Sequence, residues 1–277
     1  MSCPPIRNSL TSTPSAWAAS TPSANWRARP CRKRGDAVAG THVLLLRCSG
    51  PLQSWGVESL FTTRDTLREP TKSGAVGLLA AALGRPRGAD LADLAALKMG
   101  VRVDQEGTLL RDYHTAGQDG YATSTGGVEW TNVIVTKRYY LQDARFLVAL
   151  EGEDLSFLSD LQRALADPVW ALFLGRKACV PGEPVWLADG LQPETRLEAA
   201  LRGYPWLVPA ARVRNGRRPE RLRLVLEDLQ GEAIRPDQPI SFHERDRRYA
   251  PRRVHTSWCP CPERSLDEEV LPCSSPA

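Results

Sequence analysis

The side chains best suited to chemistry in this chain are lysines and arginines set beside glycines, hydroxyls and aromatic rings. Lys72 and Ser73 follow Pro70 and Thr71 and precede a small-residue apolar run that ends at Gly84. Pro70 holds the residue before it extended, and Thr71 or Ser73 can accept from the free amides of a first helical turn. The stretch predicts a capped helix whose start favours an anion, above all a phosphate. The competing reading is a capped core helix whose Lys72 meets only solvent. Lys137-Arg138-Tyr139-Tyr140 and Arg247-Arg248-Tyr249 interleave cations with rings, a mixture that neutralises phosphates and stacks unpaired bases. Each is equally explained as a solvated strand face. Leu174-Gly-Arg176-Lys177 sets two cations after a glycine that permits close backbone approach. Gln53, Ser54 and Trp55 lie in a glycine-bounded loop, where Trp55 either covers the core edge or offers a stacking face.

Other chemistries fail on spacing. A P-loop needs glycines ahead of its Lys-Ser so that their amides wrap the phosphates; here Glu69-Pro70-Thr71 stand there. Gly74 and Gly77 fall inside the predicted helix and not in a strand-to-helix turn, which argues against a dinucleotide fingerprint. The four histidines make no metal pair, and Cys259-Pro-Cys261 is too close and too isolated for zinc. No cofactor is called for. His114, beside Tyr113 and Asp112, has the near-neutral pKa of a general base, though a lone histidine at a loop entrance is more often structural or ligand-contacting.

These residues need a scaffold to position them. His42 to Cys48 is a nearly continuous apolar run that predicts a central strand. The helix from Thr71 ends at Gly84, and Leu91 to Leu97 adds a short one. Lys98 to Asp104 and Thr108 to Tyr113 read as strands joined by a turn at Glu106-Gly107. The following stretch, His114 to Trp130, is rich in Gly, Thr and Ser, and its length marks it as functional or mobile. Val133 to Leu141 and Ala144 to Leu150 read as strands. Asp154 to Ala166 reads as an amphipathic helix with Leu155, Leu158, Leu161 and Leu165 at helical spacing. Trp170 to Leu174 is a further candidate strand, and Leu222 to Leu226 another. The order is compatible with a ferredoxin-like βαββαβ fold carrying an insertion.

The 277 residues suit one large domain or two small ones, with ordinary hydrophobic (42%) and charged (25%) content for a globular protein. A net charge of +4 does not by itself point to nucleic acid; the crowding of arginines in the last third matters more. Seven cysteines without a signal peptide argue against a disulfide framework, and a reducing cytoplasm is expected. No apolar run approaches the roughly 20 residues that span a bilayer. Residues 1–40 are rich in Ser, Pro, Ala and Arg, a composition that does not fold and that a transit peptide shares.

Four stretches in order and spacing carry a more specific signal: Leu52-Gln-Ser-Trp-Gly56, Pro70-Thr-Lys-Ser-Gly74 with its continuation to Gly84, Arg138-Tyr-Tyr-Leu-Gln-Asp-Ala-Arg-Phe146, and Leu174-Gly-Arg-Lys-Ala-Cys-Val-Pro181. Together they closely resemble the Cas-five family of CRISPR-associated proteins in its type I-E Cascade branch. Arg248-Tyr-Ala-Pro-Arg-Arg-Val254 resembles that family's C-terminal motif. The resemblance covers about Thr41 to Ser257, which favours a start codon placed too far upstream over a transit peptide.

The resemblance implies an α+β protein: a ferredoxin-like (RRM-like) palm over 41–184, an inserted β-hairpin thumb around 114–133, and a smaller C-terminal β region over 185–257; outside it, the proline- and serine-rich residues 258–277 read as a flexible tail. It implies a non-catalytic subunit that holds the 5′ handle of the CRISPR RNA (crRNA) in antiviral defence. Its partners would be the Cascade backbone subunits, met through the thumb, and the large PAM-reading subunit. Carried onto matching positions, Gln53, Ser54 and Trp55 lie near the handle, and Lys72 and Ser73 contact phosphate. His114 belongs to the thumb, and Lys137, Arg138, Tyr140, Arg176 and Lys177 form the RNA-facing surface. The type I-C branch of the family cuts precursor RNA, and Tyr113, His114 and Lys137 are the residue types for such metal-independent cleavage.

Overall fold

The computed structural model describes residues 40–57, 62–117, 119–123, 126–209 and 218–263. The expectations for residues 1–39 and 264–277 lie outside the described residues. The two most continuously apolar stretches form β1 (His42–Ser49) and β9 (Arg145–Gly152), which pair antiparallel along their full lengths. Their side chains are buried on both sides of the sheet, as a central strand demands.

Five further strands complete a seven-stranded sheet: β4 (Lys98–Gln105), β10 (Trp186–Gln192), β11 (Arg221–Glu227), β12 (Ala233–His243) and β13 (Asp246–Pro260). Its order is β10-β1-β9-β4-β11-β13-β12, antiparallel at every pairing. The strands after residue 185 thus continue the sheet begun by β1. One face packs against α1 (Lys72–Ala82), α2 (Ala92–Ala95) and α3 (Leu155–Ala166), joined in one core with Leu44, Leu46, Phe146 and Val148. The other face packs against α4 (Leu197–Gly203) and the segment 204–208, through Val43, Leu45, Leu147 and Leu224.

Local chemistry explains the helices. Asp154 caps α3 by accepting from the Phe157 amide at 3.0 Å. Leu158, Leu161 and Leu165 bury one stripe against the sheet, each contributing about 2 kcal/mol. α1 is apolar nearly all round because it is enclosed on several sides, with Val76 and Leu79 in the core and Gly77 facing Phe242 of β12. The segment 204–208 is held by Arg102, wholly buried, which pairs with Asp104 at 2.6 Å and donates to the carbonyls of Leu201, Tyr204 and Pro205. Cys48, Cys179 and Cys259 are free and buried; burial pushes the Cys48 thiol up to about 12, so it acts as a small apolar residue.

Glu106-Gly107 does not reverse the chain. β4 and β5 (Thr108–Ala116) run on in one direction, and β8 (Ile134–Gln142) and β9 accompany them antiparallel: Lys98 faces Glu151, Thr108 faces Gln142 and Ala116 faces Ile134. The result is a single long two-stranded ribbon rising from the main sheet. It bends where Gly107 has φ +71° and Asp143 opposite has φ 55°, with the Gln105 side chain donating to the Asp143 carbonyl. Gly107 is required, since a Cβ there would lie 2.6 Å from the Gln142 carbonyl oxygen. The outer edge of β8 carries β2 (Leu52–Gln53) antiparallel and β3 (Thr63–Arg64) parallel. Near the tip, β6 (Tyr121–Ala122) pairs with β7 (Val128–Glu129).

Two further expectations are corrected. Trp170 to Leu174 is irregular backbone, anchored by amide bonds from Val169 and Trp170 to the last turn of α1. The residues after Trp258 continue as strand to Pro260, paired with Arg221 of β11.

Candidate nucleic-acid interface

The loop after β1 is locked from inside. Gln53 is wholly buried: its Nε2 donates to the carbonyls of Cys48 (3.1 Å) and Ala144 (2.7 Å), and its Oε1 accepts from the Trp55 indole at 3.1 Å. Trp55, 1% exposed, packs on Gly74, where a Cβ would stand 2.8 Å from the ring. Ser54 donates through Oγ to the Tyr139 carbonyl (3.2 Å) and through its amide to Leu174 (3.1 Å). Gly175, at φ +94°, approaches so closely that a Cβ would lie 1.8 Å from the Ser54 carbonyl oxygen. Gln53 and Trp55 are thus the fittings that hold the site together. The handle-facing role expected of their side chains is corrected: of the two readings for Trp55, packing is the one realised.

The start of α1 fills its own anion site. Thr71 Oγ1 accepts from the Gly74 amide at 3.1 Å, and the Lys72 amide donates to the Asp237 carboxylate at 2.8 Å. Asp237 is buried and held in turn by Arg252 at 2.7 and 3.0 Å. The Lys72 ammonium, 2% exposed, sits 3.0 and 2.9 Å from the two Glu227 oxygens. Burial lowers the Lys72 pKa, while Glu227 works the other way. The expectation that Lys72 contacts an external phosphate is therefore corrected: a helix start does attract an anion here, but the anions come from β11 and β12. Next to it, buried Glu69 joins Arg223 and Arg235 at 2.9 Å each, and Arg223 also reaches Glu106 at 2.9 Å. Burial opposes the Arg223 charge, yet its bonds to Glu106 and Glu69 raise its pKa overall.

Around these fixed parts lies an open cleft of about 260 Å³. One wall is the Ser54-Trp55-Gly56 turn with Gly175 and Arg176; the floor is Thr71, Ser73 and Gly74 of the α1 start; the other wall is Phe242 and Tyr249. The Arg176 guanidinium lies 4.8 Å over the Tyr140 ring and donates to the carbonyls of Tyr139 (3.2 Å) and Asp65 (3.0 Å). Tyr140 itself is buried beneath it, and Lys177 beyond it is exposed. Ser73 stays partly exposed, its hydroxyl 3.3 Å from Thr71 Oγ1.

The ribbon supplies the remaining charge. Strand alternation divides it into two faces. Arg138 lies level with Asp112 and with Arg64 of β3, and His114 shares that face two residues along. Lys137 lies level with Tyr113 and Thr63 on the opposite face, and is exposed. Arg138 is steadied by Thr136 (3.1 Å), and His114 stands 3.8 Å from Asp112. Ser54, Ser73 and Arg176 are brought together at the cleft, whereas Lys137, Arg138 and His114 are spread along the ribbon. Sequence reasoning passed over Arg64, which carries no motif, and did not place Phe242 and Tyr249 in the cleft. The Arg-Arg-Tyr249 pattern was the available signal for the latter.

Comparison with known proteins identifies relatives of this chain. A curated relative, the CRISPR system Cascade subunit CasD of Escherichia coli strain K12, is 38% identical over 158 residues, covering 52% of this chain and 69% of its own. A solved chain described as a Cas protein matches with TM-score 0.62 and 47% identity over 79% of this chain and 95% of that one. A chain of a CRISPR RNA-guided surveillance complex matches with TM-score 0.65 and 34% identity, over 80% and 91%. The family model for CRISPR-associated protein (Cas_Cas5) matches residues 43–255, so the chain belongs to that family.

Proposed function

We propose that this chain is a non-catalytic RNA-holding subunit of a type I-E Cascade surveillance complex, gripping the 5′ handle of the CRISPR RNA in the cytoplasm. The observation that carries the reading is convergence. The Ser54-Trp55, Thr71-to-Gly74 and Leu174-to-Arg176 stretches and the C-terminal Tyr249 are far apart in sequence, yet they build one cleft. The cleft and the neighbouring ribbon offer what an unpaired strand needs: a fixed guanidinium at Arg176, exposed cations at Lys177 beside it and Lys137 on the ribbon, and an exposed ring at Tyr249. The likeness to CasD and to the surveillance-complex chain supports the same assignment.

In this reading, β1-α1-β4-β9-α3-β10 with sheet order β10-β1-β9-β4 is a ferredoxin-like palm. The ribbon beyond Gly107 is the thumb that meets a backbone subunit, and another face meets the large PAM-reading subunit. The ribbon supports the non-catalytic reading: Tyr113 and Lys137 share one face while His114 lies on the other, an arrangement that does not favour three groups acting on one phosphate.

The test incubates the purified chain with handle-bearing repeat RNA and with a scrambled strand of equal length, without added metal. Tighter binding of the handle strand, with both RNAs intact, is expected. Equal affinities would reduce the protein to a generic RNA binder. A single-site cut that disappears in His114→Ala would overturn the non-catalytic assignment in favour of a type I-C-like endoribonuclease.

A further inference from the structure

The β12–β13 hairpin holds the cleft wall at its base, and its tip is unexplained by the reading above. Register places Phe242 opposite Arg247 and His243 opposite Asp246, leaving Glu244 and Arg245 as the two-residue turn. Phe242 and Tyr249 belong to the cleft, their rings 6.4 Å apart and tilted by 55°. Arg247 shares their face by strand alternation, level with Phe242 and two residues beyond Tyr249 toward the turn. The hairpin therefore prolongs the cleft wall as ring, ring and guanidinium.

The tip is rich in positive charge. A shallow hollow of about 430 Å³ is lined by Arg87 and Gly88 from the turn after α1 and by His243, Glu244 and Arg245. Glu244 is 3.7 Å from Arg87 and Asp246 is 3.0 Å from Arg248, so two of four arginines are answered by exposed carboxylates. Among the described residues Arg245 and Arg247 have no acidic partner, and both are exposed. Elsewhere on this edge the arginines are consumed inside the protein: Arg223 and Arg235 by Glu69, Arg252 by Asp237. Two unanswered guanidiniums level with a paired ring surface suit a single RNA strand, whose phosphates take the cations and whose bases take the rings.

We infer that the tip of the β12–β13 hairpin is a second, outer RNA contact, in which Arg247 and Arg245 bind phosphates of the nucleotides that leave the cleft past Tyr249. This rests on the RNA-holding reading and adds a site and a direction to it. It makes binding depend on strand length: an RNA filling only the cleft cannot reach the tip.

The test compares Arg245→Glu/Arg247→Glu with wild type on three synthetic RNAs, the handle alone and the handle lengthened by several nucleotides at one end or at the other, over a salt titration. Unchanged thermal midpoints verify folding, which the exposure of both side chains favours. Wild type is expected to bind one lengthened RNA more tightly than the bare handle. The double variant should lose that gain, on the order of tenfold at 0.15 M salt, and its log–log salt slope on that RNA should flatten by about 1.4, from two lost single-strand contacts at about 0.7 each. The bare handle should bind both proteins alike. Equal slopes and affinities for the two proteins on every RNA would overturn the inference, as would a double variant that binds RNA normally but fails to join the other Cascade subunits. Failure of wild type to prefer the handle over a scrambled strand would instead strike the underlying reading, which the hairpin variant does not address.

Discussion

Lys72 and Lys137 are both flanked by hydroxyl or cationic neighbours that suggest a phosphate contact, and the fold treats them in opposite ways. At the start of α1 each charge is answered from within: Lys72 by Glu227, its amide by Asp237, and Glu69 by two arginines. On the ribbon, Lys137 lies between Tyr113 of β5 and Thr63 of β3, and its side chain is exposed. The difference teaches that a lysine among polar neighbours can be placed in two ways. Where later strands bring a carboxylate to it, the lysine fastens the sheet to the helix. Where no carboxylate is brought to it, the ammonium stays exposed.

The largest effect should come from breaking the fastened side. Lys72→Met leaves Glu227 beside a buried apolar chain, and loss of one partner of a buried pair costs about 3 kcal/mol or more. Urea unfolding should show this as a lower midpoint, while the folded fraction binds handle RNA as wild type does. Wild-type stability combined with weaker RNA binding would return Lys72 to a ligand-facing role.

Gly175→Ala tests how the two sides are joined. The new methyl cannot occupy its place against the Ser54 carbonyl, and the φ of +94° is strained for any L side chain, so a loss of about 1–3 kcal/mol is expected. Because Arg176 follows directly and must stay over Tyr140, RNA affinity should fall as well. A variant with lower stability and unchanged affinity would show that the loop positions nothing in the cleft.

Lys137→Glu should do the reverse of Lys72→Met. Thermal stability should remain within about 0.5 kcal/mol of wild type, as for an exposed substitution, while the salt slope for handle RNA flattens by about 0.7. An unchanged slope would remove Lys137 from the interface.

The contrast between these two lysines also marks where the sequence was legible. β1 and β9 could be read from continuous apolar runs, and α3 from its leucine spacing and Asp154 cap, because each signal is local. The anion preference at the start of α1 was legible too. Its occupant was not, since Asp237 and Glu227 lie more than 150 residues downstream and only sheet order brings them back. The ribbon was misjudged for the same reason. Glu106-Gly107 has turn chemistry, but whether a chain reverses or merely bends at a glycine is decided by its partner, here β8 and β9 running alongside with a matching bend at Asp143. Gln53 and Trp55 were found as site residues by position, while burial gave them the work of support.

Being answered, rather than being buried, separates the two classes of charge, and Glu232 at the far end of the β12–β13 pair isolates that point with the smallest expected effect. Its carboxylate is exposed, yet it accepts from its own amide, from His255 at 2.9 Å and from the Thr256 amide at 3.1 Å. These bonds, its own backbone amide foremost, bring its pKa from an ordinary 4.5 down to about 2. A depressed folded-state pKa means that the unfolded chain takes up the proton first on acidification. The contribution to stability is then complete above about pH 4.5 and lost as pH falls toward 2. Glu232→Gln should flatten that part of the curve, measured as the urea midpoint at pH 5 and at pH 2.5, and leave RNA affinity untouched. Parallel losses in wild type and variant would mean that an exposed carboxylate so bonded contributes nothing. Exposure alone would then be enough to tell the ligand-facing charges of this family from the structural ones.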